Sequence, residues 1–195
     1  YARALQLDQQ QKFGGNNFSN NSNQQSFQSN KSNILEEGWV IGPMGLPVRA
    51  TLDVGNRGVQ KAFQINSFSN ILFVKYLIKN MINDNFGRFI FFNSTRASRG
   101  DVGISLYSSS KSILKPFSKC IAKEFGRFNI TSNVISLGYF NSPLLNNINK
   151  KIKENLINQI PSKKIGKTKN ISNVIKTIIE SDYINAAEIK IDGGL

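Results

Sequence analysis

The segment Gly87-Arg88-Phe89-Ile90-Phe91-Phe92-Asn93-Ser94 is followed, thirteen positions after its serine, by Tyr107-Ser108-Ser109-Ser110-Lys111. The first segment is an apolar run that ends in a serine, a pattern typical of a buried strand. The second places a phenol and an ammonium four residues apart, so a helix would put both on one face. A neighbouring ammonium favours the phenolate form of a tyrosine, which suits that tyrosine for proton transfer.

Strand and helix patterns alternate on both sides of these two segments. Apolar residues recur every three or four positions over 69–82 and 107–125, which predicts two long helices. Pro116 lies inside the second helix and must remove the bond to the Ser112 carbonyl, which predicts a kink. Further strands are predicted at 39–41, 130–136 and 188–192, further helices at 148–160 and 170–179, and a loop at 95–103. This order predicts an α/β fold, with a parallel sheet covered on both faces.

The composition excludes several classes of protein. At 195 residues the chain can form one domain with a sizeable core, and with no histidine and one cysteine it lacks the ligands of a common zinc site. Cys120 has no cysteine to pair with, so nothing favours an oxidising compartment. No apolar run approaches a membrane span and no leader pattern is present, so we expect a cytoplasmic protein without a membrane partner.

The formal charge of +13 raises the question of a nucleic-acid partner. The lysines are scattered and do not alternate with aromatic residues, and the excess of Asn, Ile, Lys and Phe is typical of an A+T-rich genome. We therefore expect no nucleic-acid partner. The densest basic group could steer an acidic substrate or carrier, or could simply be a solvated surface; it comprises Lys150, Lys151, Lys153, Lys163, Lys164, Lys167 and Lys169.

The amino-terminal residues 1–33 differ in composition from the rest. Residues 4–8 form a short strand pattern that ends in Asp8, and residues 9–33 are rich in Gln, Asn and Ser and poor in aliphatic side chains. We expect this second part to be a disordered insertion. Residues 34–195 are expected to form the folded domain.

From residue 59 onward the sequence resembles the short-chain dehydrogenase/reductase family, most closely its 3-oxoacyl-carrier-protein reductase-like members. Four residues match the family's catalytic group in type and spacing: Asn66, Ser94, Tyr107 and Lys111. The resemblance is good over 59–195 and poor over 34–58. It implies a Rossmann-like doubly wound parallel sheet whose amino-terminal part is incomplete. It also implies NAD(P)-dependent hydride transfer between nicotinamide and a carbonyl or alcohol carbon of a small-molecule or carrier-bound substrate.

The resemblance assigns a role to each of the four residues. Tyr107 would be the general acid when a ketone is reduced, and Ser94 would donate a second hydrogen bond to the same oxygen. Lys111 would hold the ribose hydroxyls of the cofactor, and Asn66 would seat a water that returns the proton. Taken singly, each residue also has an ordinary explanation. Tyr107 could be a half-buried tyrosine, Ser94 a strand-end cap, Asn66 a turn or helix cap and Lys111 a solvated lysine.

The resemblance also implies further cofactor contacts. Asp8 would contact the adenine, and Gly45 would lie in a turn beside the cofactor, although an ordinary Gly-Pro turn explains Gly45 equally well. The segment 137–142 would meet the nicotinamide carboxamide through Gly138, Phe140 and Ser142, with Leu137 in place of the family's proline.

The family binds the cofactor pyrophosphate on a glycine-rich turn, and no Gly-x-x-x-Gly-x-Gly occurs in this sequence. We therefore expect the 195-residue chain alone to bind dinucleotide weakly or not at all. The alternative is a catalytically silent family member that serves as a structural or binding protein. In either case the resemblance implies a homodimer or homotetramer, because related proteins pair the two long helices across a twofold axis.

Overall fold

A five-stranded sheet forms the centre of the computed structural model, which describes residues 34–35, 39–41, 56–142, 145 and 149–195. The strands lie in chain order, with β1 antiparallel to β2 and every other pair parallel. They are β1 Ile34–Leu35, β2 Trp39–Ile41, β3 Gly87–Ser94, β4 Ile130–Leu137 and β5 Glu188–Ile191. The predicted strand at 4–8, the insertion at 9–33 and the turn at Gly45 lie outside the described residues.

Helices connect the parallel strands, as the predicted doubly wound α/β fold requires. They are α1 Asn56–Phe63, a π-helical turn Gln64–Phe68, α2 Ser69–Asn83, α3 Arg96–Arg99, α4 Ser105–Ser112, α5 Leu114–Phe125, a 3-10 turn Gly126–Phe128, α6 Lys150–Gln159 and α7 Thr168–Glu180. Within the described part of the chain, no helix is both long and apolar enough to span a bilayer.

Several elements differ from the sequence-based expectation, among them α1 Asn56–Phe63 and the π-helical turn, which were not predicted. The predicted loop at 95–103 contains the one-turn helix α3, which is too short to show an apolar period. The antiparallel strand β1 was not predicted, because two residues carry no readable alternation. The predicted parallel sheet is thus confirmed and gains one antiparallel edge strand.

The central strand β3 supplies side chains to both faces of the sheet. Phe89 and Phe91 pack with residues of α2 and α5 on one face, whereas Ile90 and Phe92 pack with Ile178 of α7 on the other. The strand pattern of period two explains this division. Because both faces of β3 are buried, its carboxyl end is held rigidly, and Ser94 is the last residue of the strand.

The helix predicted over 107–125 is interrupted at Ile113, three residues before Pro116. Helix α4 ends at Ser112 and α5 begins at Leu114, with Pro116 in the first turn of α5. Proline has no backbone N–H to donate to the Ser112 carbonyl, and its ring favours the first turn of a helix. The two halves therefore pack separately, α4 against β3 and α5 mainly along β4.

Candidate active site

Lys111 crosses from α4 to the central strand. Its Nζ donates a hydrogen bond to the carbonyl oxygen of Phe92 at 2.9 Å, and the residue is only 2% exposed. Burial lowers the pKa of Lys111 from 10.5 to about 8, because the protein interior solvates an ammonium poorly. The explanation of Lys111 as a solvated surface lysine is therefore wrong.

Tyr107 lies one turn before Lys111 on α4 and is half-buried. Residues four apart lie on the same face of a helix, so the phenol and the ammonium share one side of α4. Among the described residues the Tyr107 hydroxyl makes no hydrogen bond, and its backbone carbonyl accepts one from Ser110 Oγ at 2.9 Å.

Ser94 lies at the carboxyl end of β3, two residues beyond the carbonyl that binds Lys111. Its Oγ accepts a hydrogen bond from the backbone N–H of Arg96 at 3.3 Å. This bond agrees with the explanation of Ser94 as a strand-end cap. It uses only an acceptor site of the hydroxyl, which can still donate its own hydrogen.

Asn66 is buried inside the π-helical turn, with 1% exposure. Its Nδ2 donates to Ser110 Oγ at 2.8 Å, and the neighbouring Ser67 donates to the Ser110 carbonyl at 2.6 Å. The explanation of Asn66 as a helix cap is wrong, because helical residues lie on both sides of it. Isolated π-helical turns occur frequently at functional sites.

Ser110 joins the π-helical turn to α4, a role that the sequence analysis missed. Its Oγ accepts from Asn66 and donates to the Tyr107 carbonyl, so one hydroxyl bridges two of the predicted site residues. Three consecutive serines, Ser108 to Ser110, stand between Tyr107 and Lys111. Helical spacing could have selected Ser110 as the one a turn away from Tyr107, but its partner 44 residues away carries no local signal.

The segment predicted to meet the nicotinamide is held from two sides. A Cβ at Gly138 would lie 2.7 Å from the Cα of Asp192, so only glycine fits there, and the Gly138 N–H donates to the Ile191 carbonyl. Phe140 pairs with Gly166, where an added Cβ would lie 2.5 Å from the phenylalanine ring.

Ser142 accepts a bond from the N–H of Leu145. These contacts give Gly138, Phe140 and Ser142 structural reasons to be present, and their binding of cofactor stays a prediction. The proposed contacts Asp8 and Gly45 lie outside the described residues.

Residues 41–195 match the protein-family model described as Enoyl-(Acyl carrier protein) reductase. The chain is 28% identical over 172 residues to carbonyl reductase family member 4 of Xenopus laevis, covering 87% of this chain and 71% of that protein. It is 32% identical over 133 residues to the 3-oxoacyl-[acyl-carrier-protein] reductase FabG of Buchnera aphidicola subsp. Baizongia pistaciae, covering 67% of this chain and 54% of that protein. It thus spans between about half and 71% of these two relatives.

Solved structures share the same fold. The chain aligns with a blue fluorescent protein from a metagenomic library in complex with NADPH at a TM-score of 0.73 and 23% identity, over 80% of this chain and 64% of that one. A putative betaketoacyl-ACP reductase aligns at a TM-score of 0.73 and 19% identity, over 87% of this chain and 71% of that one. These likenesses agree with the sheet order and the helix positions described above.

The first prediction concerns the buried ammonium of Lys111. Its folded-state pKa lies below the unfolded value, so between about pH 8 and 10.5 the unfolded chain binds more protons than the folded one. The free energy of unfolding should therefore rise with pH through that window. Below about pH 8 both states are protonated and the full cost of burying the charge remains.

The test compares the unfolding free energy of the unchanged chain with that of Lys111→Met by urea denaturation. From pH 7 to pH 10, this difference should shift by roughly 1–3 kcal/mol in favour of the unchanged chain. The matched control is Lys119→Met, an exposed lysine on α5, for which the difference should be flat. A flat difference for Lys111→Met as well would contradict the assignment of a buried ammonium.

Proposed function

The chain belongs to the short-chain dehydrogenase/reductase family, and from that membership we propose that it is a cytoplasmic NAD(P)-dependent oxidoreductase that acts on a carbonyl or alcohol carbon. The observation that carries the proposal is the pairing on α4 of the buried Lys111 with the half-buried Tyr107. Both lie beside the carboxyl end of β3, where Ser94 presents a hydroxyl. Open α/β sheets bind their ligands at the carboxyl ends of the strands.

The residues beside β3 fit the ribose and nicotinamide half of a dinucleotide. An ammonium carries three donors, and within the described part of the chain the Phe92 carbonyl engages one of them, so a donor remains for a ribose hydroxyl. The complex of a similarly folded protein with NADPH supports this choice of cofactor. When bound, the nicotinamide supplies the hydride. Asp8, Gly45, Gly138, Phe140 and Ser142 are the further cofactor contacts that we propose.

Tyr107 and Ser94 act on the substrate oxygen. As negative charge develops on that oxygen during reduction, the Tyr107 hydroxyl transfers its proton to it and the Ser94 hydroxyl donates a hydrogen bond. Lys111 stabilises the phenolate that remains, because its ammonium lies on the same helix face. Oxidation of an alcohol uses the same groups in reverse, with the phenolate as the base.

Asn66 restores the proton in this proposal. Its Oδ1 is buried and has no hydrogen-bond partner among the described residues, while its Nδ2 is fixed by Ser110. In this proposal the unpartnered Oδ1 of Asn66 holds a water. That water would return a proton toward Tyr107 by way of Lys111.

Replacing the phenol tests this mechanism directly. In the protein as its gene encodes it, we expect Tyr107→Phe to lower turnover of an acetoacetyl thioester with NADPH by about 10²–10⁴-fold, because the general acid is lost. Cofactor affinity measured by calorimetry should stay nearly unchanged. Tyr76→Phe, at an exposed tyrosine on α2, is the matched control and should keep full activity.

The outcomes distinguish an active oxidoreductase from a catalytically silent family member. Full activity of Tyr107→Phe would reject Tyr107 as the acid. Tight cofactor binding by the 195-residue chain alone would overturn the expectation that it needs a glycine-rich segment. If the unchanged protein neither turns over a ketone or thioester nor binds the cofactor, the result would favour the alternative of a catalytically silent family member.

The exposed lysines support an acidic, carrier-bound substrate. Residues 149–170 contain seven lysines and one acidic residue, whereas residues 171–195 contain two lysines and four acidic residues. Compositional drift alone would spread lysines evenly, so this clustering needs a local cause. The loop that carries several of them packs on the predicted nicotinamide segment through Gly166 and Phe140. One relative described above is named a 3-oxoacyl-[acyl-carrier-protein] reductase and the matching family model is described as Enoyl-(Acyl carrier protein) reductase, which agrees with such a partner.

Charge reversal tests the carrier proposal. We expect Lys164→Glu combined with Lys169→Glu to lower kcat/KM for a carrier-bound 3-oxoacyl substrate about tenfold or more at low salt, because electrostatic steering is lost. The small thioester should react at its original rate. Lys176→Glu with Lys190→Glu, which reverses two charges elsewhere, is the control. Equal losses for carrier and small thioester would reject a docking role.

We also propose a homodimer or homotetramer. Phe68 and Tyr76 lie two helical turns apart and are 46% and 64% exposed, which supports contact of α2 with a second copy. Sedimentation equilibrium at micromolar concentration should give a mass of two or four chains, and Tyr76→Lys should shift it toward one. A monodisperse monomer would contradict the proposed homodimer or homotetramer.

A further inference from the structure

Asn93, the residue before Ser94 on β3, is a buried amide with unmatched polar atoms. It is 3% exposed, and neither its Nδ2 nor its Oδ1 has a hydrogen-bond partner in the described part of the chain. Native proteins rarely leave a buried amide unpaired, because the amide loses its bonds to water. The position therefore calls for a functional explanation.

The Asn93 side chain lies on the face of β3 that α4 covers. Side chains of a strand alternate, so Asn93 shares a face with Phe89 and Phe91, which pack against α2 and α5. Lys111 reaches β3 from this same side. Its ammonium binds the Phe92 carbonyl, which belongs to the peptide unit that leads into Asn93. The Asn93 amide and the Lys111 ammonium thus both lie next to the peptide unit between Phe92 and Asn93.

No carboxylate offsets the charge of Lys111 among the described residues. The ionisable groups on the elements packed against α4 are Arg57 and Lys61 on α1, Arg88 on β3, Arg96 and Arg99 on α3, and Asp101 in the loop after α3, with Tyr107 on α4 itself. Asp101, the one acid in this set, pairs with Arg96 and Arg99. Neutral acceptors must therefore serve the ammonium.

We propose that Asn93 is a positioning residue for Lys111: its amide oxygen accepts a hydrogen bond from the ammonium, directly or through one bridging water, and keeps Lys111 charged and fixed beside β3. Buried waters typically bond to polar groups that would otherwise be unsatisfied. The coupling of Asn93 to Lys111 stands by itself, and only its purpose, to present Lys111 to a ribose, rests on the proposed function.

The direct test measures the proton affinity of Lys111 by NMR, from the titration of its Cε shift. Leucine has nearly the shape of asparagine and no hydrogen bonds, so Asn93→Leu should weaken proton binding at Lys111 about tenfold, an acid shift of about one pH unit. The matched control is Thr131→Val. Thr131 is also buried, and its Oγ1 has no hydrogen-bond partner among the described residues. In the register of β3 and β4, Thr131 lies opposite Arg88 near one end, whereas Asn93 lies opposite Ser136 near the other. Thr131→Val should leave the titration of Lys111 unchanged.

A double-mutant cycle with Lys111→Met separates coupling from packing. Where Lys111 is present, Asn93→Leu should lower the urea midpoint, because the ammonium loses its acceptor. In Lys111→Met the same change should be neutral or stabilising. Equal effects in both backgrounds, or an unchanged Lys111 titration, would overturn the proposal.

Asn93→Asp covers the case in which Asn93→Leu does not fold. A carboxylate beside the ammonium should strengthen proton binding at Lys111 by tenfold or more, and no change would show that the two side chains do not interact. The readouts use no substrate. Failure of the proposed oxidoreductase activity with the coupling intact would therefore remove only the purpose of the contact.

Discussion

The hydrogen bond from the Lys111 ammonium to the Phe92 carbonyl is the constraint on which the site depends. A buried charge is tolerated only where it is solvated by the protein, so Lys111 must find its acceptor for α4 to lie close to β3. Tyr107 lies one turn before Lys111 on α4, and Ser94 lies two residues beyond Phe92 on β3. Among the described residues, the Phe92 carbonyl is the one acceptor bonded to this ammonium.

Two irregularities of the backbone allow this arrangement. Pro116 separates α4 from α5, so α4 can follow the end of β3 while α5 packs along β4. The π-helical turn at Gln64–Phe68 turns Asn66 and Ser67 toward Ser110. Polar bonds from two directions, the strand and the π-helical turn, therefore hold α4. The site is precise because long-range hydrogen bonds, and not loop conformation, fix it.

The parts that could be predicted from the sequence are those with a local signal. Apolar periodicity gave β3, β4, β5 and the long helices, and the chemistry of proline gave the break before Leu114. The four catalytic candidates came from their spacing and from the family resemblance. Ser110 and Asn93 could not be predicted, because their importance depends on partners brought near by the fold. The one-turn α3 and the two-residue β1 are too short to leave a pattern.

The contact between Gly138 and Asp192 ties the end of the chain to the edge of the site. The backbone at 138 lies so close to the strand end at 191–192 that the two positions cannot vary independently. A side chain gained at 138 would need a displaced β5 end to accommodate it. Over evolutionary time these two positions should therefore change together, and residues 191–192 become part of the frame that shapes the segment after β4.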